Sequence, residues 1–121
     1  DDGEIEVWGD GKQTRSYCYV DDCVDGIFKI MQSDYHSPLN LGQDRLISID
    51  ELVDIIARIA GKKITKKHNL TKPQGVRGRN ADISRAKEIL DWCPKVSLEE
   101  GLGLTYKWIH EQLIKTGKIS K

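Results

Sequence analysis

Cysteine is scarce and has no paired spacing. Cys18, Cys23 and Cys93 give an odd count without a C-x-x-C pair. That argues against a disulfide scaffold or a zinc ribbon and points to a reducing, cytoplasmic compartment. Histidine is equally thin. His36, His68 and His110 stand far apart, none with a partner at ligand spacing, so no metal is expected. No apolar run approaches the length of a membrane span and no signal sequence opens the chain, so no membrane enters the reading. Catalytic signatures are missing too. There is no G-x-G-x-x-G after a strand, no G-x-S-x-G and no H-E-x-x-H. None of Tyr17, Tyr19, Tyr35 and Tyr106 has a lysine four residues on. Gly9-Asp10-Gly11-Lys12-Gln13-Thr14 glances at a P-loop, but Gln13 follows the lysine and the earlier glycine is absent. The chain thus offers no catalytic and no cofactor-binding residue. Asn69-Leu70-Thr71 is a chance sequon without a secretory context.

What is present fits one small globular unit. The 121 residues are 38% hydrophobic and 31% charged, enough for a single core. The chain opens on Asp1 rather than Met, and so reads as part of a longer gene product. Net charge is zero but unevenly spread. Between Arg58 and Arg85, nine cations stand against Asp82 alone, a local +8 offset by −8 elsewhere. Such a segment attracts anions. Interleaved aromatics for base stacking are absent, so no nucleic acid is expected.

Strand and helix signals alternate, which predicts an α/β fold. Ile5 and Val7 lead into Gly9-Asp10-Gly11, and Arg15 to Val20 resumes as a second strand, together a hairpin. Asp21 or Asp22 is expected to cap a helix whose buried stripe is Val24, Ile27, Phe28 and Met31, with Gly26 allowing close approach of a neighbour. Pro38 to Gly42 reads as a short buried strand. Ser48-Ile49-Asp50-Glu51 is a capping box, and Gly61 ends the helix it opens. Ile64 to Asn69 reads as a lysine-rich edge strand. Pro73 to Asn80 is a glycine-punctuated loop. A short helix carrying Ala86, Ile89 and Leu90 then stops near Asp91. Ser97-Leu98-Glu99-Glu100 is a second capping box, opening the last helix.

The chemistry left is that of donors. Gln13, Thr14 and Arg15 place an amide, a hydroxyl and a guanidinium in sequence after two turn glycines. Alone, that stretch is either a loop for a polar anion or an ordinary solvated hairpin. Arg77 and Arg79 sit in the second glycine loop. Guanidinium forks suit phosphate, and Gly75 and Gly78 would bring backbone N–H groups to the same anion. Two such loops in so short a chain favour a site.

These residues resemble a family. Trp8-Gly9-Asp10-Gly11-Lys12-Gln13-Thr14-Arg15-Ser16, then Val20-Asp21-Asp22-Cys23-Val24-Asp25-Gly26, is similar to the C-terminal portion of NAD-dependent nucleotide-sugar epimerases and dehydratases, the extended short-chain dehydrogenases. Pro38 to Gly42, Ser48 to Leu52, Leu90 to Pro94 and Leu98 to Leu102, with Thr105 and Trp108, continue the likeness over nearly the whole chain. Gln13-Thr14-Arg15 with Gly75 to Asn80 is similar, more narrowly, to the GDP-mannose 3,5-epimerase subfamily.

The resemblance implies that residues 1–121 are the substrate-binding region of such an enzyme, with most of the Rossmann domain missing. It implies that NAD and the catalytic Tyr-x-x-x-Lys belong to a missing N-terminal part. The substrate would be a nucleoside diphosphate-sugar, GDP-mannose in the subfamily, and the parent a homodimer. Gln13, Thr14 and Arg15 would contact substrate and Arg79 its diphosphate or nucleoside end. Arg77 would be a substrate contact or a loop-shaping residue. Two positions depart from the family pattern. Lys72 replaces a usual glycine, and Asp91 replaces the glycine of Leu-Gly-Trp, where a left-handed residue would fit.

Overall fold

A computed structural model describes residues 3–119. It contains the strands β1 (Gly3–Trp8), β2 (Thr14–Arg15), β3 (Ile47–Ser48), β4 (Ile64–Asn69) and β5 (Gly78–Arg79). The helices are α1 (Val20–Gln32), α2 (Ile49–Ala60), α3 (Ser84–Leu90) and α4 (Leu98–Lys115). The α/β class holds, but the expected hairpin does not form. β1 pairs in parallel with β4, from Gly3 opposite Ile64 to Trp8 opposite Asn69. β2 is the middle strand of a separate sheet, antiparallel to β3 and parallel to β5.

The physical reason lies in charge and in the turn. β1 carries Glu4 and Glu6, and its pairing partner β4 sets Lys67 opposite Glu6 and within 3.6 Å of Glu4, while Lys66, opposite Ile5, reaches Asp54 of α2 at 2.7 Å. Gly9 and Gly11 both have positive φ, at 84° and 71°. They turn the chain onto the start of α2, where Asp50 N–H donates to Gly11 C=O at 3.0 Å and Ile49 N–H to Gln13 C=O at 3.2 Å. A side chain at Gly11 would collide with the Asp50 carboxylate. The second strand is also shorter than expected, Thr14–Arg15 only.

α2 forms as its local signals demand. Glu51 N–H donates to Ser48 Oγ at 3.1 Å, Ser48 N–H returns to Glu51 Oε2 at 2.7 Å, and Gly61 closes the helix at φ 63°. At α4, Ser97 Oγ accepts the Glu100 N–H at 3.3 Å. Asp91 is left-handed at φ 47°, ending α3 as expected.

α1 departs from expectation twice. Its N-cap is Tyr19, with no side-chain bond, while Asp21 and Asp22 fall in the first turn. Asp22 is buried, and its carboxylate accepts the N–H groups of Lys95 and Val96 at 3.0 and 2.9 Å, so it ties α1 to the segment before α4. Trp92 Nε1 also donates to Asp22 C=O at 3.1 Å. The face turned inward is therefore that of Asp22 and Gly26, not the apolar stripe. Val24, Ile27, Phe28 and Met31 are exposed.

Gly26 meets the expectation of close packing, since a Cβ there would lie 2.8 Å from Leu41 and 3.0 Å from Trp92. Leu41 packs as a core residue, yet Pro38 to Gly42 forms no strand. Among the described residues no strand pairs with it. The centre of this core is Ile83, Ala86 and Trp92.

Candidate functional site

The parallel pairing of β2 with β5 places Thr14 beside Gly78 and Arg15 beside Arg79. Two loops separated by some sixty residues thus meet in one ladder, and the arginines expected to cooperate are register partners. The glycines of the second loop have a steric task that their sequence pattern alone does not reveal. A Cβ on Gly75, itself at φ 72°, would come within 3.1 Å of Arg15 Nη2, and one on Gly78 within 2.8 Å of Thr14 Oγ1. Bare backbone at these positions gives the Arg15 and Thr14 side chains the space they occupy.

Arg15 is half-buried. Its Nη1 donates to Thr14 C=O at 2.7 Å and Val76 C=O at 2.8 Å, which orients the guanidinium without neutralising it. The rest of the fork remains available to an anion. Arg79 is exposed, and among the described residues its side chain makes no hydrogen bond or ion pair. Gln13 is 5% exposed; its Nε2 donates to Trp8 C=O at 2.7 Å, while Oε1 is buried without a partner. It braces the glycine turn from a buried position, with Oε1 closed off from solvent. Arg77 is engaged differently: its Nη1 donates to Asp10 Oδ2 at 2.8 Å. That bond, followed by the Lys12 N–H, holds the Asp10 carboxyl below the usual aspartate value.

Next to this ladder an apolar groove of about 290 Å³ runs between Tyr17–Val20 and the start of α4, floored by Gly101 and Leu102. Burial pushes the Tyr17 phenol up, partly offset by the Arg15 charge, so the hydroxyl is a neutral hydrogen-bonding group. Burial likewise pushes the Cys18 thiol up, so it is a poor nucleophile. All three cysteines are free. Among the described residues, no group of three or more His, Cys, Asp or Glu is placed to hold a metal. No helix there is long and apolar enough to cross a membrane. The two loops thus gather cationic forks, a hydroxyl and a buried amide, with the pair His68 Nε2 and Asp50 Oδ1, 2.8 Å apart, against the first glycine turn. Asp10 is the participant that sequence reasoning missed. Its only signal was its place between two glycines.

Similar proteins are found by sequence and by structure. The sequence profile of the family described as GDP-mannose 4,6 dehydratase matches residues 2–105. GDP-mannose 3,5-epimerase of Arabidopsis thaliana is 44% identical over 111 residues, covering 92% of this chain and 29% of that protein. The structure of UDP-glucose 4-epimerase from Thermotoga maritima, solved with UDP-glucose, superposes with a TM-score of 0.86 at 34% identity, covering 91% of this chain and 36% of that one. UDP-glucuronic acid 4-epimerase from Bacillus cereus, solved with UDP-glucuronic acid and NAD, superposes at 0.81 with 31% identity, over 90% and 36% of the two chains. The chain thus spans about a third of the length of these relatives.

Proposed function

The chain belongs to the GDP-mannose 4,6 dehydratase family of nucleotide-sugar enzymes, and we propose that it is the region of an NAD-dependent epimerase that grips a nucleoside diphosphate-sugar. GDP-mannose is the proposed substrate, as in the Arabidopsis relative. The observation that carries this reading is the register of Arg15 with Arg79. Two guanidinium groups on adjacent strands, one aimed by carbonyls and one unengaged, match the two charged phosphates of such a ligand. Charge-assisted bonds of this kind contribute roughly 1.5–3 kcal/mol each. Thr14 adds a neutral hydroxyl beside them, and the buried Gln13 braces the turn that precedes it.

In such an enzyme NAD, held by another part of the protein, would supply reversible oxidation of the sugar. Binding energy from the remote nucleotide orients the sugar for that step. The residues described here do not fit the dinucleotide. The glycine turn at Gly9 to Gly11 is followed in sequence by strand β2 rather than by a helix, and no tyrosine–lysine pair stands at catalytic spacing. The 121 residues alone are accordingly expected to turn over no substrate. A parent homodimer belongs to the same proposal.

A second reading has a specific observation behind it, because the superposed Thermotoga and Bacillus structures hold UDP-sugars. Calorimetry on the full-length protein distinguishes the two. GDP-mannose should bind more tightly than UDP-glucose, and Arg15→Ala and Arg79→Ala should each weaken it about tenfold or more. NAD affinity should stay within twofold of wild type. Unchanged sugar-nucleotide affinity in both variants would refute the assignment. Tighter binding of UDP-glucose would transfer it to the UDP-sugar class.

A further inference from the structure

Of the arginines in the two glycine loops, Arg77 is the one whose partner is a carboxylate. Its Nη1 reaches Asp10 Oδ2 at 2.8 Å. The other oxygen of Asp10 accepts the Lys12 N–H at 2.9 Å, so one side chain shapes the first loop and holds the second. The main chain of Arg77 contributes as well, since its carbonyl accepts the Thr14 N–H at 2.8 Å. Arg77 therefore touches the first loop at both ends of the Asp10–Thr14 stretch, next to the residues that carry the site.

We propose that Arg77 is a positioning residue and not a ligand of the diphosphate: its ion pair with Asp10 fixes the spacing of the two glycine loops and so aligns Arg15 with Arg79. The inference rests on the reading that those two arginines hold the diphosphate. Arg15 spends its bonds on neutral carbonyls and keeps its charge for a ligand. Arg77 has an anion already, which cancels much of what it offers to a second one. The pair is partly exposed, at 62% and 36%, so water and salt screen it and its effect is modest. Its position makes it matter, because the ladder it braces is only two residues long on each side.

The alternative, Arg77 as a ligand, makes the opposite forecast for its partner. Asp10→Asn would then free a guanidinium and remove a negative charge beside the site, and GDP-mannose would bind more tightly. Under the proposal, Asp10→Asn and Arg77→Gln each weaken binding roughly three- to fivefold. The double variant should be no weaker than either single, and the exchanged pair Asp10→Arg with Arg77→Asp should recover most of the loss.

Calorimetry with GDP-mannose on the full-length protein reads the affinities. Amide hydrogen exchange at Thr14, whose acceptor is the Arg77 carbonyl, reads the alignment without any ligand. It should quicken in both single variants and slow again in the exchanged pair. Tighter binding in Asp10→Asn overturns the proposal, as does a loss in Arg77→Gln that Asp10→Asn does not share. Unchanged Thr14 exchange in both singles also overturns it. Arg15→Ala serves as the separate control. If it keeps full affinity, the diphosphate reading has failed, and the exchange measurement still judges the pair. If it loses affinity while the pair variants do not, only the positioning role has failed.

Discussion

Asp10 carries more of the site's geometry than its small side chain advertises, and its titration shows how. In the folded chain its pKa lies below the ordinary aspartate value, first through the Arg77 hydrogen bond and then through the Lys12 N–H. A carboxylate depressed by folding contributes stability above its unfolded pKa and loses that contribution as pH falls through the depressed value. The tie between the loops is therefore intact at neutral pH and opens only as pH falls through that depressed value. An NMR titration should place the Asp10 midpoint below the ordinary aspartate value. In Arg77→Gln the midpoint should rise, yet stay somewhat low because the Lys12 N–H remains. No rise would mean that the pair does not form in solution.

Gly75 and Gly78 belong to the same scale. Their spacing is visible in the sequence and reads as a phosphate-cradling pattern. Their use as room for Arg15 and Thr14 is not visible, because it depends on which strand lies alongside.

Among the elements, α2 supports the site from below. Its first turn receives the glycine loop through Asp50 and Ile49, so its capping box has a consequence beyond the helix. Ser48→Ala removes the acceptor for the Glu51 N–H and should lower unfolding stability by about 1 kcal/mol. Denaturant melts would measure the drop, and an unchanged midpoint would mean that the cap contributes nothing.

What was legible at this scale follows sequence distance. α2 was readable at both ends because its signals, Ser48 with Glu51 and then Gly61, lie within the helix's own neighbourhood. The left-handed Asp91 was readable for the same reason. The hairpin was not, since β1 takes a partner some sixty residues on and β2 takes two partners from different stretches. A period-two pattern states that a strand exists and says nothing about its neighbour. α1 shows the converse failure. Its periodicity was correct, but the inward face is set by Asp22 and Gly26 meeting Trp92 and Leu41, contacts that periodicity does not encode.

The whole molecule presents an unusual surface for its size. Val24 is 57% exposed, Phe28 55%, Met31 75% and, on α4, Trp108 63%. Apolar side chains grouped along one helix leave contiguous surface that favours association. The 121 residues expressed alone should self-associate and bind a hydrophobic dye. Phe28→Lys with Met31→Lys should reduce both, as read by light scattering and dye fluorescence. Because nothing described packs on those side chains, stability should move by no more than about 0.5 kcal/mol. A large fall in stability would show that the stripe is buried in solution.

The pairing of β2 with β5 has a consequence in time as well as in space. Helices such as α2 close through neighbouring residues. Arg15 and Arg79 become adjacent only after the intervening chain, with α1, α2 and β4, has been gathered into a single large loop. Under the proposed function, an arginine clamp therefore depends on closing that loop, and a chain cut between its two glycine loops should lose affinity for a sugar nucleotide.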